Sequence, residues 1–464
     1  MTIWQPNLSG RSGPKFRQIS DAIGDGIATG RLAKGARLPP QRDLAYALDV
    51  SLNTVSRAYA DATDRGFVRG EVGRGTYVRE AGPLPLEPRP AALTRPSEGP
   101  IDFSLNLPAP GRAAAALARS LEALSGSSSL ASFLDYQAPG DNRRHAAAGA
   151  AWLGRVGLEA DGDDIVLSTG AQHGIMVALL ATTRPGDVLL TEQLTYAPIR
   201  TMAHHLGLKL MPVACEGGVL SPDALDAACT RVAGKTLYCQ PTLHTPTTTT
   251  MDAERRSAIA AIARKHGLTL IEDDVFGFLP PDRPEPLACF APERTIYITS
   301  VSKSLAPGLR VGYLHAPPKQ ARALRTAVSL SSWMPPPLMV EIASGWIEEG
   351  TADELNAFQR EEAAVRQAMA RTVIPAGHLG ADAHGFHLWL TLPPHWHPDM
   401  FRMAARDRGV ELLVGGAFAV DPSDSPNAVR LCLSHEGARE RVRHGLTIVA
   451  ELLEDAGQAG SMIL

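Results

Sequence analysis

The stretch Thr295-Ile-Tyr-Ile-Thr-Ser-Val-Ser-Lys-Ser-Leu-Ala-Pro-Gly-Leu-Arg-Val-Gly-Tyr313 decides the fold of this chain. Its first residues are β-branched and aromatic, which predicts a buried strand. Small hydroxylated residues, one lysine and a Pro-Gly turn follow. Ser300, Ser302 and Arg310 bracket Lys303, and together they supply hydroxyl and guanidinium groups suited to a phosphate, with one amine beside it.

A lysine in this setting can form a Schiff base with an aldehyde. Pyridoxal 5'-phosphate (PLP) is the phosphorylated aldehyde that proteins hold in this way. The stretch therefore predicts a PLP site at Lys303, with Ser300, Ser302 and Arg310 around the phosphate. The structural alternative is a strand end with a solvated lysine and a structural arginine.

Length and composition bound the class of protein. The 464 residues exceed one ordinary domain, and a 44% apolar, 20% charged composition is typical of a soluble globular chain. No apolar run reaches the length of a membrane span, and the N-terminus lacks a signal-peptide pattern. The five cysteines include no Cys-X-X-Cys pair, which argues against a zinc site and disulfides and predicts a cytoplasmic location.

Charge is distributed unevenly along the chain. Residues 1–80 contain 12 Lys and Arg against 8 Asp and Glu, whereas the remainder contains 33 against 41. A basic head on an acidic body indicates that only the head meets a polyanion.

Residues 11–80 predict a winged helix-turn-helix. Apolar residues recur at helical spacing in 15–28, a second helix starts behind prolines in 38–45, and a third covers 52–60. Two short glycine-rich strands follow, at 67–70 and 73–78. Two short helices joined by a tight turn and followed by such a hairpin are typical of a DNA-binding head.

The phrases GRLAKGARLPPQRDLA, SLNTVSRAY and GEVGRGTYV in this region resemble the DNA-binding domain of the GntR family. Asp49 stands in the turn where that family usually has glycine, and Asp tolerates the left-handed conformation. The alternative for any one polar residue is a solvated helix face. The resemblance implies that the following residues face double-stranded DNA, the last of them from the wing: Arg42, Ser51, Asn53, Thr54, Arg57 and Arg74.

Residues 81–100 contain six prolines and predict an extended, semi-rigid linker. From Ile101 onward, apolar strands alternate with alanine-rich helices, which predicts an α/β domain with a mostly parallel sheet over 101–464. We place a smaller α+β subdomain at about 335–464.

Other strand ends supply further candidate residues. Gly170, Ala171 and Gln172 lie between a strand and a helix, where backbone N–H groups can meet an anion. Tyr196 ends a strand and can stack on a flat heterocycle. A generic turn and simple packing are the respective alternatives.

Acidic and basic residues complete the candidate set. Asp273 follows a buried strand in Glu272-Asp-Asp274 and can keep a pyridine nitrogen protonated, with solvated acids as the alternative. Arg430 lies within an apolar strand, where a substrate carboxylate or a structural salt bridge would satisfy it.

Residues 101–464 resemble the fold-type I PLP-dependent aminotransferases, through SVSKSLAPGLRVGY, IEDD, QPTLHTPTTTTM, STGAQHG and VRLCLS. The resemblance implies that Lys303 bonds PLP, Asp273 pairs with its ring nitrogen, Tyr196 stacks on it and Arg430 holds a carboxylate. Tyr136 resembles the tyrosine that reaches the phosphate of the neighbouring subunit. A GntR-type head on such a body is the arrangement of the MocR family of bacterial transcriptional regulators, which are head-to-tail homodimers.

Two positions depart from the aminotransferase pattern. Thr245 stands where active enzymes usually carry Asn, and Phe276 where many carry Tyr. Those side chains bind the phenolic oxygen of the cofactor in the enzymes, so their replacement favours sensing over turnover.

The resulting prediction is a PLP-dependent regulator that binds operator DNA and senses an amine or amino-acid effector by Schiff-base exchange at Lys303. TIWQPNLSGRSGPK and LPPQRDLAYAL resemble regulators of ectoine breakdown, which implies control of amino-acid or ectoine-type catabolism. One alternative is a working aminotransferase that retains a DNA-binding head. Another is a DNA-binding module on a PLP-free dimerisation scaffold.

Overall fold

The computed structural model describes residues 4–6, 8, 13–28, 31–33, 35–64, 67–71, 75–78, 99–137, 142–232 and 236–455. The chain forms two compact units, residues 1–93 and 94–464. Almost all of the predicted linker 81–100, and Arg74 with it, lie outside the described residues. Among the described helices, none is long and apolar enough to cross a membrane.

The N-terminal unit is a three-helix head with a two-stranded wing. Its elements are α1 (Lys15–Ala28), α2 (Gln41–Ala47), α3 (Leu52–Asp64), β1 (Val68–Glu71) and β2 (Gly75–Val78). The strands are antiparallel. Buried apolar side chains from all three helices and both strands form one core, including Ile19, Ile23, Leu44, Val55, Tyr59, Val68 and Val78.

Two helix boundaries in this unit differ from the prediction. Helix α2 begins at Gln41, behind the prolines that the sequence places at its entry, and ends at Ala47 instead of Ala45; Pro40 occupies its N-cap position in extended geometry. Helix α3 continues to Asp64, since the buried Ala62 extends its apolar face by one turn. The tolerance predicted for Asp49 is confirmed by its φ of +50°.

The larger unit contains a seven-stranded mixed sheet. The strands of the whole unit, including those outside this sheet, are in chain order β3 (Ile101–Asp102), β4 (Ile165–Ser168), β5 (Val188–Glu192), β6 (Lys209–Val213), β7 (Cys215–Glu216), β8 (Val219–Leu220), β9 (Thr236–Cys239), β10 (Thr269–Asp273), β11 (Thr295–Ser300), β12 (Gly312–His315), β13 (Leu379–Ala381), β14 (His387–Thr391), β15 (Val410–Glu411), β16 (Leu413–Val414) and β17 (Ala428–Cys432).

Thirteen described helices surround these strands. They are α4 (Ala113–Ser125), α5 (Arg143–Gly154), α6 (Ala171–Thr182), α7 (Pro198–His205), α8 (Pro222–Arg231), α9 (Ala253–His266), α10 (Leu287–Phe290), α11 (Val301–Ser304), α12 (Pro318–Ser331), α13 (Pro337–Glu348), α14 (Thr351–Val373), α15 (Pro398–Asp407) and α16 (Arg439–Glu454).

The order of the large sheet is β4-β12-β11-β10-β9-β5-β6. Strand β12 runs antiparallel to both neighbours, and the other pairs from β11 to β6 are parallel. Strands β9, β10 and β11 are buried along their whole length apart from Thr269 at the start of β10, as expected for a sheet covered on both faces. The carboxyl ends of β4, β5, β9, β10 and β11 therefore meet at one edge of the sheet.

A second sheet, in the order β13-β14-β17-β16, forms the core of the smaller subdomain. Helix α13 lies within the predicted range of the subdomain, about 335–464, but it packs with α5 in a core of the large sheet, through Val340 and Trp346. Met369 and Ala370, near the end of α14, already belong to the smaller core. Strand β3 joins this subdomain by pairing with β15, so the first residues after the linker are held by elements from the far end of the chain.

Candidate functional site

A cavity of about 190 Å³ opens at the edge where the parallel strands end. Most of the predicted cofactor and effector residues line it. These are Ala171, Gln172, Tyr196, Thr245, Asp273, Ser300, Ser302, Lys303, Arg310 and Arg430, with Asn106, Leu107, Gln240 and Phe276 beside them. The structure thus brings together residues from strands, turns and the smaller subdomain, although their individual roles remain predictions.

The predicted phosphate cup lies between the start of α6 and Arg310. Gly170 precedes α6 with a φ of +80°, and a Cβ atom there would lie 2.9 Å from the Arg310 guanidinium. Arg310 donates to the Thr169 carbonyl at 3.0 Å. Ser300 accepts from the Ser302 backbone N–H at 3.4 Å. The N-terminal end of a twelve-residue helix, an arginine and two hydroxyl groups form a favourable site for a phosphate dianion.

Lys303 is the amine of the cavity. Its Nζ donates to the Asn106 carbonyl and lies 5.6 Å from the centre of the Phe276 ring. Burial lowers the pKa of Lys303 to about 8, and the nearby Arg430 and Arg310 guanidinium groups act in the same direction. A larger share of neutral amine is then present near neutral pH, which is the form that attacks a carbonyl.

Asp273 is the acid of the cavity. Its Oδ2 accepts hydrogen bonds from the Tyr238 hydroxyl at 2.6 Å and from Gln240 Nε2 at 3.1 Å. Its Oδ1 is buried and has no hydrogen-bond partner among the described residues. Burial raises the pKa of Asp273 to about 6, while the bond from Tyr238 opposes this shift. Sequence reasoning assigned no role to either residue, because Tyr238 is an ordinary strand residue and Gln240 entered only as the first residue of QPTLHTPTTTTM.

The two acids beside Asp273 are buried instead of solvated. Glu272 accepts the backbone N–H groups of Leu287 and Ala288, both at 2.8 Å. Asp274 accepts the Tyr297 hydroxyl at 2.7 Å and pairs with Arg283. The solvated alternative is wrong for both acids, because each has structural partners of its own.

Arg430 approaches the cavity from β17 of the smaller subdomain. Its Nη2 donates to the Ser104 carbonyl at 2.7 Å, and its guanidinium carbon lies 4.7 Å from the centre of the Phe418 ring. Its Nε is buried without a hydrogen-bond partner in the described part of the chain. Since Arg430 makes no ion pair with any described residue, it retains donor capacity for an incoming carboxylate.

Thr245 and Phe276, the two atypical positions, both face the cavity. Thr245 Oγ1 is buried with no partner among the described residues. Phe276 packs edge-on against Phe386, with ring centres 6.0 Å apart, and cannot donate a hydrogen bond. The site therefore offers one hydroxyl where the related enzymes have an amide and a phenol.

Tyr136 does not line the cavity. Its side chain is exposed, and its ring centre lies 5.5 Å from that of Trp333. The prediction for Tyr136 concerns the partner subunit and stays a prediction.

The residues around the cavity fit PLP. Buried polar atoms normally have hydrogen-bond partners, yet several in this wall lack one among the described residues: Asn106 Oδ1, Gln240 Oε1, Thr245 Oγ1, Asp273 Oδ1 and Arg430 Nε. An acid is in place for the ring nitrogen, a hydroxyl for the phenolic oxygen, an amine for the aldehyde and a cup for the phosphate. PLP supplies the aldehyde that condenses with amines.

In the head, the predicted DNA residues lie in and beside α2 and α3. Arg42, Asn53 and Arg57 are exposed, and Thr54 is half-buried. Ser51 accepts the Thr54 backbone N–H at 3.1 Å and therefore caps α3, a structural role that its predicted contact with DNA did not include. The Arg57 guanidinium lies 4.1 Å from the centre of the Phe16 ring. Arg74 lies outside the described residues.

Comparison with known proteins supports the predicted families of the head and of the body. The aminotransferase class I and II family matches residues 100–448, and the gntR family of bacterial regulatory proteins matches residues 15–78. The HTH-type transcriptional regulator YdeF of Bacillus subtilis is 29% identical over 97% of both chains. TauR of Rhodobacter capsulatus, also an HTH-type transcriptional regulator, is 28% identical over 96% of this chain and 97% of its own.

Among solved structures, an archaeal alanine:glyoxylate aminotransferase superposes with a TM-score of 0.71 at 22% identity, covering 77% of this chain and 92% of its own. This likeness confirms the fold of the body. The chain therefore belongs to the aminotransferase class I and II family, and with its GntR-type head it is a PLP-binding transcriptional regulator of the MocR type.

Proposed function

We propose that this regulator senses an amine or amino acid by Schiff-base exchange at Lys303 and changes its binding to operator DNA in response. The observation that carries the proposal is the grouping of Lys303, Asp273 and Arg430 around one cavity. Lys303 can exchange with an incoming amine because burial favours its neutral form. Arg430 selects an amine that also bears a carboxylate, since a guanidinium binds a carboxylate through two parallel hydrogen bonds.

The response to the effector needs contacts that differ between two states. We define residues 104–109 as the strap; one residue, Phe103, separates it from β3. Arg430 donates to the Ser104 carbonyl, Lys303 donates to the Asn106 carbonyl, and Gln359 bonds both backbone groups of Ala109. An effector that binds Arg430 and displaces Lys303 competes with both strap carbonyls. Release of the strap would therefore accompany effector binding.

A homodimer is supported by large side chains that are exposed on the body. Four large side chains are unusually exposed: Leu134 at 90%, Leu330 at 84%, Tyr136 at 79% and Trp333 at 59%. Tyr136 and Trp333 contact each other, with ring centres 5.5 Å apart, and contiguous exposed apolar surface often marks a protein–protein contact. A second copy in the predicted head-to-tail arrangement would cover them and carry Tyr136 toward the partner's cofactor phosphate.

Sensing without turnover is supported by Thr245 and Phe276, because the phenolic oxygen of the cofactor loses an amide and a phenol donor. The second candidate function is a working aminotransferase, which the pairing of Lys303 with Asp273 in one cavity favours. Control of amino-acid or ectoine-type catabolism stays a prediction.

The test uses the full-length, PLP-loaded protein and a panel of amines and amino acids, including ectoine-derived ones. We expect at least one compound to shift the visible absorption band within minutes and to change the affinity for DNA over the same concentration range. Keto acid, followed by mass spectrometry, should stay below one equivalent per site. Multiple turnovers per site would contradict sensing and establish the enzyme, and a DNA response without a spectral change would exclude exchange at Lys303.

A further inference from the structure

Two buried tyrosine–carboxylate pairs flank the end of β10. Tyr238 on β9 donates to Asp273 Oδ2 at 2.6 Å, and Tyr297 on β11 donates to Asp274 Oδ2 at 2.7 Å. All four side chains are buried. The two pairs are therefore close chemical equivalents on neighbouring strands.

The pairs face opposite sides of the sheet. Successive residues alternate in direction along an extended strand, and the two tyrosines accordingly belong to different hydrophobic cores: Tyr238 to the one formed with α6, and Tyr297 to the one formed with α5 and α13. Asp273 lines the cavity, whereas Asp274 does not and is neutralised by Arg283.

No Lys or Arg among the described residues forms a salt bridge with Asp273. Its two side-chain donors, the Tyr238 hydroxyl and Gln240 Nε2, both bind Oδ2, and Oδ1 has no hydrogen-bond partner within the described part of the chain. Hydrogen bonds to a carboxylate stabilise its ionised form against the effect of burial. Because both donors use one oxygen, they also fix the rotation of the carboxylate group of Asp273, which lines the cavity. Gln240 is itself anchored, since its backbone N–H donates to the buried Glu192 at 3.0 Å.

We infer that Tyr238 and Gln240 are positioning residues that keep Asp273 ionised and turn its Oδ1 toward the ring nitrogen of PLP. The inference rests on PLP binding in this cavity. An ionised acid at that place holds the ring nitrogen protonated, which strengthens binding and sets the electronic state of the ring. Tyr297 performs the same bonding for an acid that does not meet the cofactor.

The experiment compares Tyr238→Phe with Tyr297→Phe in the full chain, with Gln240→Met as a second variant of the proposed pair. Apoprotein is titrated with PLP, and the visible absorption and circular dichroism of the bound cofactor are recorded. Melting temperatures of the apoproteins report the structural cost of each substitution. Each of the two Tyr→Phe substitutions removes one hydrogen bond to a buried carboxylate, so their melting temperatures should fall by similar amounts.

We expect Tyr238→Phe to weaken PLP binding about tenfold and to alter the cofactor spectrum, as the loss of one hydrogen bond to a charged group implies. Gln240→Met should shift both readouts in the same direction. Tyr297→Phe should retain the affinity and spectrum of the unmodified protein. Equal PLP affinities and spectra for the two Tyr→Phe variants would overturn the inference. If the unmodified protein itself binds no PLP, the cofactor assignment fails first and the inference falls with it.

Discussion

In the head, three of the residues predicted to meet DNA, Arg42, Asn53 and Arg57, are exposed, whereas Asp273 and Arg430 beside Lys303 are buried. Arg42 and Asn53 are exposed, and a phosphate backbone can reach such groups with little change in the protein. Asp273 and Arg430 are fixed by partners from distant parts of the chain. The exposed side chains of the head can therefore be replaced one at a time, whereas a change at one cavity residue also removes a bond from its hydrogen-bond partner.

The substitution with the largest expected effect should abolish the function of the cavity and leave DNA binding by the head intact. Lys303→Ala should abolish the cofactor adduct that borohydride traps and the response to amines, because the chain then has no amine in the cavity to bond the aldehyde. DNA binding through the head should persist. Peptide mass spectrometry locates the trapped adduct, and electrophoretic mobility shift measures DNA binding. An adduct at another lysine in the variant would show that the amine has been misassigned.

A gain of function tests the cavity next. Thr245→Asn combined with Phe276→Tyr should raise the rate of transamination by about ten- to a hundred-fold for each restored bond to the phenolic oxygen, since each bond contributes about 1.5–3 kcal/mol. Single-turnover kinetics with an effector amine measure the rate. Each single variant provides the matched control. An unchanged rate in the double variant would mean that these two positions do not limit turnover.

The smallest expected effect is in the head. Arg57→Ala and Arg42→Ala should each weaken binding to a DNA fragment selected from a random-sequence pool and lower the salt-dependence slope by about one per lost phosphate contact. Arg322→Ala removes an exposed arginine from the body and serves as the control. The cofactor spectrum should be unchanged in all three. A slope that falls equally in Arg322→Ala would place the DNA surface elsewhere.

The sequence predicted local features well. Apolar spacing predicted α1 with both of its bounds, small residues before α6 predicted the Gly170 turn, and Asp49 adopts the left-handed backbone that its position requires. These features depend on residues close together in the chain. The mixed sheet and the PLP-type site were also predictable, because short motifs mark the carboxyl ends of its strands.

What escaped prediction depends on distant partners. The bond from Arg430 to Ser104 joins residues 326 positions apart, and Gln359 meets Ala109 across 250. In the sequence, Tyr238 does not differ from other strand residues. For Glu272 and Asp274 the sequence left solvated acids open as the alternative. A single sequence contains no signal for such pairs, since any buried strand can present a tyrosine and any strand end can present an acid.

Strand β3 has a mechanical consequence. The backbone of β3 and of the next residue, Phe103, is hydrogen-bonded on both sides. Backbone N–H groups of Ile101 and Phe103 donate to the carbonyls of Gly409 and Glu411 around β15, and the Phe103 carbonyl accepts from the Cys432 N–H in β17. The Asp102 N–H donates to Glu436. The predicted linker 81–100 thus precedes a strand that is hydrogen-bonded to the smaller subdomain, a few residues from the strap. Because β3 pairs with β15, a movement of that subdomain would also move the body end of the predicted linker 81–100. Under the proposed function, shortening or lengthening the proline-rich segment would change how strongly the effector alters DNA binding and would leave the effector affinity of the DNA-free protein unchanged.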